Sequence, residues 1–219
     1  MNAITPLPVE AEALFDRIAD ALAETGYCII PDALPENLTL PLHRYLQRLH
    51  DEDFHRAGIG RDQEHQLNRR VRGDEIRWLS PEQPEEARYL EWMSALRLGI
   101  NRRLMMGLFD YECHFARYPE GAFYRRHLDA FQGRTNRVLS TVYYLNPDWS
   151  ADDGGELLIY ADEQSREPLE RVLPTQGTLV VFLSDRFPHE VLPARRERLS
   201  VTGWYRVNNS LGGQVDPPR

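Results

Sequence analysis

Long apolar runs are missing from this 219-residue chain. No stretch of about 18 apolar residues occurs, so no membrane span is expected. An excess of basic residues is missing as well. Lys and Arg number 26 against 34 Asp and Glu, and the net charge of −8 argues against a duplex nucleic-acid binder. Cysteine is scarce. Cys28 and Cys113 sit in apolar strand contexts and read as reduced core residues of a cytoplasmic protein. The first residues, MNAITPLPVEAEALF, lack the basic and apolar regions of a secretory signal. The helical patterns HExxH and HxxEH of zinc hydrolases are also absent, although two His and a carboxylate would suit catalytic zinc. What remains is one acidic domain over 1–219, expected to be a monomer, with enough apolar residues for a core.

The first hundred residues read mostly as helix and the last hundred mostly as strand. Apolar residues at helical spacing predict helices over 9–24, stopped by Gly26, over 36–50, and over 84–106. The last carries Tyr89, Trp92, Met93, Leu96 and Ile100 on one stripe, which reads as core packing. Between them 55–76 is polar, rich in arginine and aperiodic, as a surface or functional loop would be. From residue 111 onward come short β-branched and aromatic runs: ECHFARY, YRRHLD, RVLSTVYYLN, GELLIY, GTLVVFL, HEVLP and LSVTGWYRV. Turn signals such as Asn146-Pro147 and Asp153-Gly154-Gly155 separate them, so they read as strands.

Within those strands lie the residues with chemistry. His127 and Asp129 are two apart, so on a strand both side chains point to one side while Leu128 faces away. An HxD pair alone arises by chance in about one such chain in three at average composition. His189, in SDRFPHEV, supplies a third ligand from a distant strand. Two imidazoles and one carboxylate hold one face of a ferrous ion and leave the other open. Arg198 follows nine residues later, and RLSVTGWYRV as a strand puts Arg198, Ser200, Thr202 and Trp204 on one face. That mixture suits a polar pocket. A guanidinium is a planar fork of donors matched to a carboxylate, here the far end of a dicarboxylate keto acid chelating the iron. His114 beside Cys113 does not form a second metal site, because strand neighbours face opposite ways.

The phrases ARYPEGAFYRRHLD, RVLSTVYYLNPDW, GGELLIY, FLSDRFPHEV and RLSVTGWY, with RGDEIRWL at 72–79 upstream, resemble the 2-oxoglutarate- and iron(II)-dependent oxygenases. Within that superfamily the resemblance is to the prolyl hydroxylases acting on hypoxia-inducible factor and to their bacterial members, which act on elongation factor Tu. It implies a mainly β, α+β fold: a double-stranded β-helix (jelly-roll, cupin-like) core over 111–208. Residues 1–110 would be a helical N-terminal support with a finger loop at about 55–79, and 209–219 a short tail. It implies Fe(II), 2-oxoglutarate and O₂ as cofactors, ascorbate as reductant, and His127, Asp129 and His189 as metal ligands. Arg198, Tyr144 and Tyr118 would bind the keto acid, with Thr202 and Trp204 in the same wall. The substrate entrance would comprise Arg72, Asp74, Trp78, Tyr124 and Arg137, with Arg137 pairing with Asp74 across the mouth. The implied reaction is C4 hydroxylation of a prolyl residue in a protein, releasing succinate and CO₂. The intact Asp129 favours hydroxylation, since related halogenases vacate that position for halide. The same chemistry on another protein or a small molecule, and a non-catalytic metal-binding or oxygen-sensing module, stay open.

Overall fold

The structure is a computed structural model that describes residues 9–57, 71–130 and 136–208. The expected finger residues 58–70, the stretch 131–135 and the tail from 209 lie outside it. Helices α1 (Val9–Glu24), α2 (Glu36–Leu46) and α3 (Pro84–Leu104) precede most of the strands. The first agrees with the predicted span. The second stops four residues early, and a 3-10 turn at Asp51–Asp53 follows it.

Strands β1 (Tyr27–Ile30), β2 (His55–Arg56), β3 (Glu75–Trp78), β4 (Leu108–Tyr118), β5 (Tyr124–His127) and β6 (Arg137–Tyr144) come first. Then come β7 (Leu157–Ile159), β8 (Glu170–Val172), β9 (Leu179–Leu183), β10 (His189–Val191) and β11 (Arg198–Val207). They form a seven-stranded sheet, β1-β9-β6-β11-β4-β3-β2, and a four-stranded sheet, β5-β10-β7-β8. Every pairing within the two sheets is antiparallel, as a jelly roll requires. Strands β2 and β8 were not foreseen.

Strand alternation sorts the core into two layers. Cys113, Phe115, Tyr143, Val181, Val201 and Tyr205 face the helices and pack with Phe15, Ile18, Tyr89, Met93, Leu96 and Ile100. Their immediate neighbours Ala116, Tyr144, Val180 and Phe182 point the other way, against Leu157, Ile159, Val172 and Val191 of the small sheet. The helices thus stiffen one face of the large sheet and leave the other to face the small sheet. Helix α3 lies so close to α1 that a Cβ at Gly99 would come within 2.5 Å of the Phe15 ring. Arg103 reinforces that contact with ion pairs to Glu12 and Asp16. Cys28 and Cys113 are buried and free, as expected. Among the described residues no helix is long and apolar enough to cross a membrane.

Candidate metal centre

His127 ends β5 and His189 begins β10, and the two are paired directly across the ladder. Both imidazoles project to the same side, with ring centroids 4.3 Å apart. Asp129, just past β5, brings Oδ1 to 3.6 Å from His127 Nε2 and Oδ2 to 3.6 Å from His189 Nε2. One ligand atom from each lies within 4.8 Å of the others, and no other such group occurs among the described residues. An ion bonded at about 2.1 Å holds neighbouring ligand atoms roughly 3–3.4 Å apart, so this donor set fits a divalent metal.

The protonation states agree. His127 Nδ1 is 2.8 Å from the Arg125 carbonyl, and His189 Nδ1 is 3.0 Å from that of Phe187. A carbonyl only accepts, so each Nδ1 carries the hydrogen and each Nε2 offers a lone pair. Burial, helped by the neighbouring His127, pushes the His189 pKa down to about 4, so its ring is neutral at ordinary pH. Burial alone would raise the Asp129 carboxyl. The facing His189 and His127 and a hydrogen bond from Ser140 outweigh it and hold the carboxyl well below its usual range. Ser140 Oγ lies 2.6 Å from Asp129 Oδ2 and 2.9 Å from Ser184 Oγ. A hydroxyl has one proton to give, so the shorter bond to the carboxylate takes it and Ser184 donates to Ser140.

Four residues beyond Ser140, about 13 Å along β6, stands Tyr144. Here the wall becomes a pocket with unmet donors. Arg198 is 1% exposed and its Nε donates to the Gly155 carbonyl at 2.8 Å. Its Nη2, the Tyr144 hydroxyl and the Ser200 hydroxyl are buried and have no well-formed hydrogen bond among the described residues, although Arg198 and Tyr144 are close enough to interact. The Arg198 guanidinium lies 5.0 Å from both the Tyr118 and Tyr144 ring centroids. Burial raises both phenols, which keeps them neutral and able to donate. Each unmet buried polar group costs about 1–3 kcal/mol, so three together mark a place for a charged acceptor. A carboxylate there satisfies them.

The other expected residues divide. Thr202 shares the Arg198 face and is half-buried opposite Val142 and His114. Trp204 is paired with Ser140, so it stands at the metal end of the wall, away from Arg198. The Arg137 guanidinium covers its ring at 3.6 Å. Tyr124 stacks on His127 at 3.6 Å, and Arg72 covers the far side of Tyr124 at 4.4 Å. Trp78 is 41% exposed and meets His114 edge-on.

One expectation is corrected. Asp74 pairs with Arg72, and Arg137 pairs with Glu112 at 2.8 Å. The register explains why: Glu75 is opposite Arg117, which sets Asp74 level with Tyr118 at one end of β4. Arg137 lies beside Arg206, which is opposite Asp110 near the other end. Sequence reasoning put Ser200 on the Arg198 face without giving it a partner, and passed over Ser140, Ser184 and Gly155 as site residues. Ser140 and Ser200 had a signal, since each is a small polar residue on the inner face of an apolar strand. Gly155, 43 residues from Arg198, had none.

Comparison with known proteins agrees with this geometry. The model of the 2OG-Fe(II) oxygenase superfamily matches residues 113–206. Human prolyl hydroxylase EGLN3 is 30% identical over 212 residues, 92% of this chain and 87% of that protein. Human Egl nine homolog 1 is 30% identical over 209 residues, 91% of this chain but 48% of that protein, so the chain spans about half of that relative's length. A Pseudomonas putida prolyl-4-hydroxylase structure has a TM-score of 0.78 at 43% identity, covering 89% of this chain and 99% of that one. A Trichoplax adhaerens prolyl hydroxylase, solved with a peptide fragment of the hypoxia inducible factor oxygen degradation domain, has a TM-score of 0.74 at 31% identity and covers 90% of each chain.

Proposed function

Because the chain belongs to the 2-oxoglutarate- and iron(II)-dependent oxygenase superfamily, with prolyl hydroxylases among its relatives, we propose that it hydroxylates C4 of a prolyl residue in a protein. The single observation that carries this reading is the pairing of two sites along β6, where Ser140 bonds Asp129 and Tyr144 stands beside Arg198. The His127–Asp129–His189 set stands at one end, and the unmet donors of Arg198, Tyr144 and Ser200 at the other. Iron(II) with bound 2-oxoglutarate supplies an oxidative decarboxylation that places one oxygen atom of O₂ on a substrate C–H bond and releases succinate and CO₂.

The chain's own part is binding, orientation and exclusion of water. His127 and His189 present Nε2, and Asp129 presents an ionised carboxylate held from behind by Ser140. Arg198 and the hydroxyls of Tyr144 and Ser200 would hold the far carboxylate of 2-oxoglutarate, with Tyr118 packed on the guanidinium. Phe182, against His189 at 4.8 Å, keeps that side dry. Tyr124, Trp78, Arg137 and the Arg72–Asp74 pair frame the mouth, and an exposed indole there offers a flat apolar surface to a prolyl ring. Arg137, stacked on Trp204, is a donor for a peptide carbonyl. Two buried free cysteines are in keeping with a cytoplasmic home and therefore with elongation factor Tu as the substrate.

The test is succinate release by Fe(II)-loaded protein with ascorbate, using prolyl peptides and whole elongation factor Tu, together with mass spectrometry for a gain of about 16 Da on proline. Turnover with the peptide and a modified proline in elongation factor Tu is expected. Turnover with a different protein or only with free amino acids would overturn the substrate. Metal binding with no 2-oxoglutarate turnover would overturn the enzyme reading in favour of a sensor.

A further inference from the structure

We propose that Arg126, Tyr160 and Glu190 are positioning residues that clamp the two imidazole-bearing strands from behind and set the geometry of the metal centre. The inference rests on the metal-centre reading above and goes beyond it, because none of the three side chains faces the metal. The reason a clamp is needed lies in the backbone. β5 is the last strand of the four-stranded sheet, bridged on its outer side to residues 71–73, and its ladder with β10 holds two register pairs, His127 with His189 and Tyr124 with Val191. The register shifts between them, two residues of β5, Arg125 and Arg126, opposing one of β10, Glu190. A short, irregular ladder specifies register weakly, and a slip of one residue would turn His127 to the outer face.

Side chains on the outer face supply what the ladder lacks. His127 and His189 point inward, so their neighbours Arg126 and Glu190 point outward. Tyr160, directly after β7, lies between them and is 3% exposed. Its hydroxyl donates to Glu190 Oε1 at 2.5 Å, and the Arg126 guanidinium lies over its ring at 3.3 Å. Arg126 Nη2 also approaches Glu190 Oε1 to 3.9 Å. Arg126 Nη1 donates to the Ser165 carbonyl at 2.7 Å, in a turn that Asp162 Oδ1 ties down by accepting from Ser165 N and Oγ. The backbone joins in: Tyr160 N donates to the Pro188 carbonyl at 2.8 Å, fixing the residue before His189. One ring therefore joins the residue before one ligand to the residue after the other. The Tyr160–Glu190 bond holds the ring on β10, and β5 can slide along β10 only by breaking the Arg126 contacts to that ring and to the Ser165 carbonyl.

The test is a titration of the metal-free protein with Co(II), read by the visible d–d band, alongside its thermal unfolding. Tyr160→Phe removes the bond to Glu190 and keeps the ring under Arg126. It should weaken Co(II) binding about tenfold and alter the band, with the unfolding midpoint of the metal-free protein unchanged. Glu190→Gln, which still accepts from the phenol, should retain most of the affinity, and Arg126→Lys, which lacks the planar fork, should not. The clamp is overturned if Tyr160→Phe binds Co(II) with wild-type affinity and an unchanged band, or if weaker binding only follows a fall in the unfolding midpoint. Asp129→Ala separates the two readings: if it abolishes Co(II) binding while Tyr160→Phe does not affect it, the metal centre stands and the clamp falls.

Discussion

Arg72 and Asp74 close a two-pronged ion pair, Nε to Oδ1 at 2.7 Å and Nη2 to Oδ2 at 2.5 Å, with the Asp74 side chain fully buried. The same guanidinium covers Tyr124, and Tyr124 stacks on His127, so a buried carboxylate is linked by stacking to the His127–Asp129–His189 set. Asp74→Asn takes the charge from a pair whose carboxylate is buried and whose guanidinium is half-buried, and should cost about 1–3 kcal/mol in denaturant unfolding. Double-mutant cycles should show coupling of roughly 0.5–3 kcal/mol between Arg72 and Asp74 and little between Arg137 and Asp74. A strong Arg137–Asp74 coupling would contradict the pairing seen here.

Ligand identity is tested most simply at Asp129. Asp129→Ala takes the only carboxylate from the three-residue donor set and should abolish both Fe(II) binding and succinate production. Glu163→Ala, at an exposed acid in the turn after β7, should leave both unchanged. Equal loss in the two variants, measured by metal content and turnover, would point to general destabilisation.

The keto-acid pocket makes a graded prediction. Arg198→Lys keeps the charge but loses the fork, so the KM for 2-oxoglutarate should rise by about 10–100-fold with a smaller fall in kcat. Gly155→Ala should act in the same direction without touching the ligand. Its φ is +72°, and a Cβ there would come within 2.8 Å of Ala194 Cβ and 3.2 Å of Arg198 Cδ. Displacing that backbone moves the carbonyl that holds Arg198 Nε. An unchanged KM in Gly155→Ala would show that the arginine is positioned by other contacts.

His114 should make stability depend on pH. It is buried between Trp78 and Trp204, and burial pushes its pKa down to about 4 from an ordinary 6.5. Between those values the unfolded chain takes up a proton that the folded His114 refuses. Stability therefore rises with pH across about 4–6.5 and is level above it. The full difference is about 3 kcal/mol. His189 and His43 shift in the same direction, so His114→Phe should reduce the slope without abolishing it. Urea unfolding of both proteins at pH 4.5, 5.5 and 7 checks this, and parallel curves would refute the assignment.

Much of the site was legible because strand alternation is a local rule. Tyr143 and Tyr144 face opposite ways and Arg198 shares a face with Ser200, whereas Asp129 lies in a bend past the end of β5 and reaches His127 without strand alternation. The helix stripe through Tyr89, Met93, Leu96 and Ile100 was legible for the same reason, and all four are fully buried. The short β8 was missed because three residues, Glu170–Val172, carry too little pattern to stand out from the loop around them. The partner of Asp74 was misjudged because charge and proximity to the mouth do not set register. Arg137 and Asp74 are level with different parts of β4, which only the strand pairing reveals.

The sequence by itself determined which atoms could bind: two imidazoles, a carboxylate two residues past the first of them, and an arginine nine residues past the second imidazole. It also determined the class of chemistry, because those residue types at those spacings suit an open iron site with a keto-acid anchor. Tertiary structure alone decided how they are held. Ser140 on Asp129, Gly155 on Arg198, and Tyr160 between Arg126 and Glu190 join residues 11, 43 and more than 29 positions apart. No local pattern encodes such contacts, since they exist only once two sheets have closed in one register and brought those side chains within bonding distance.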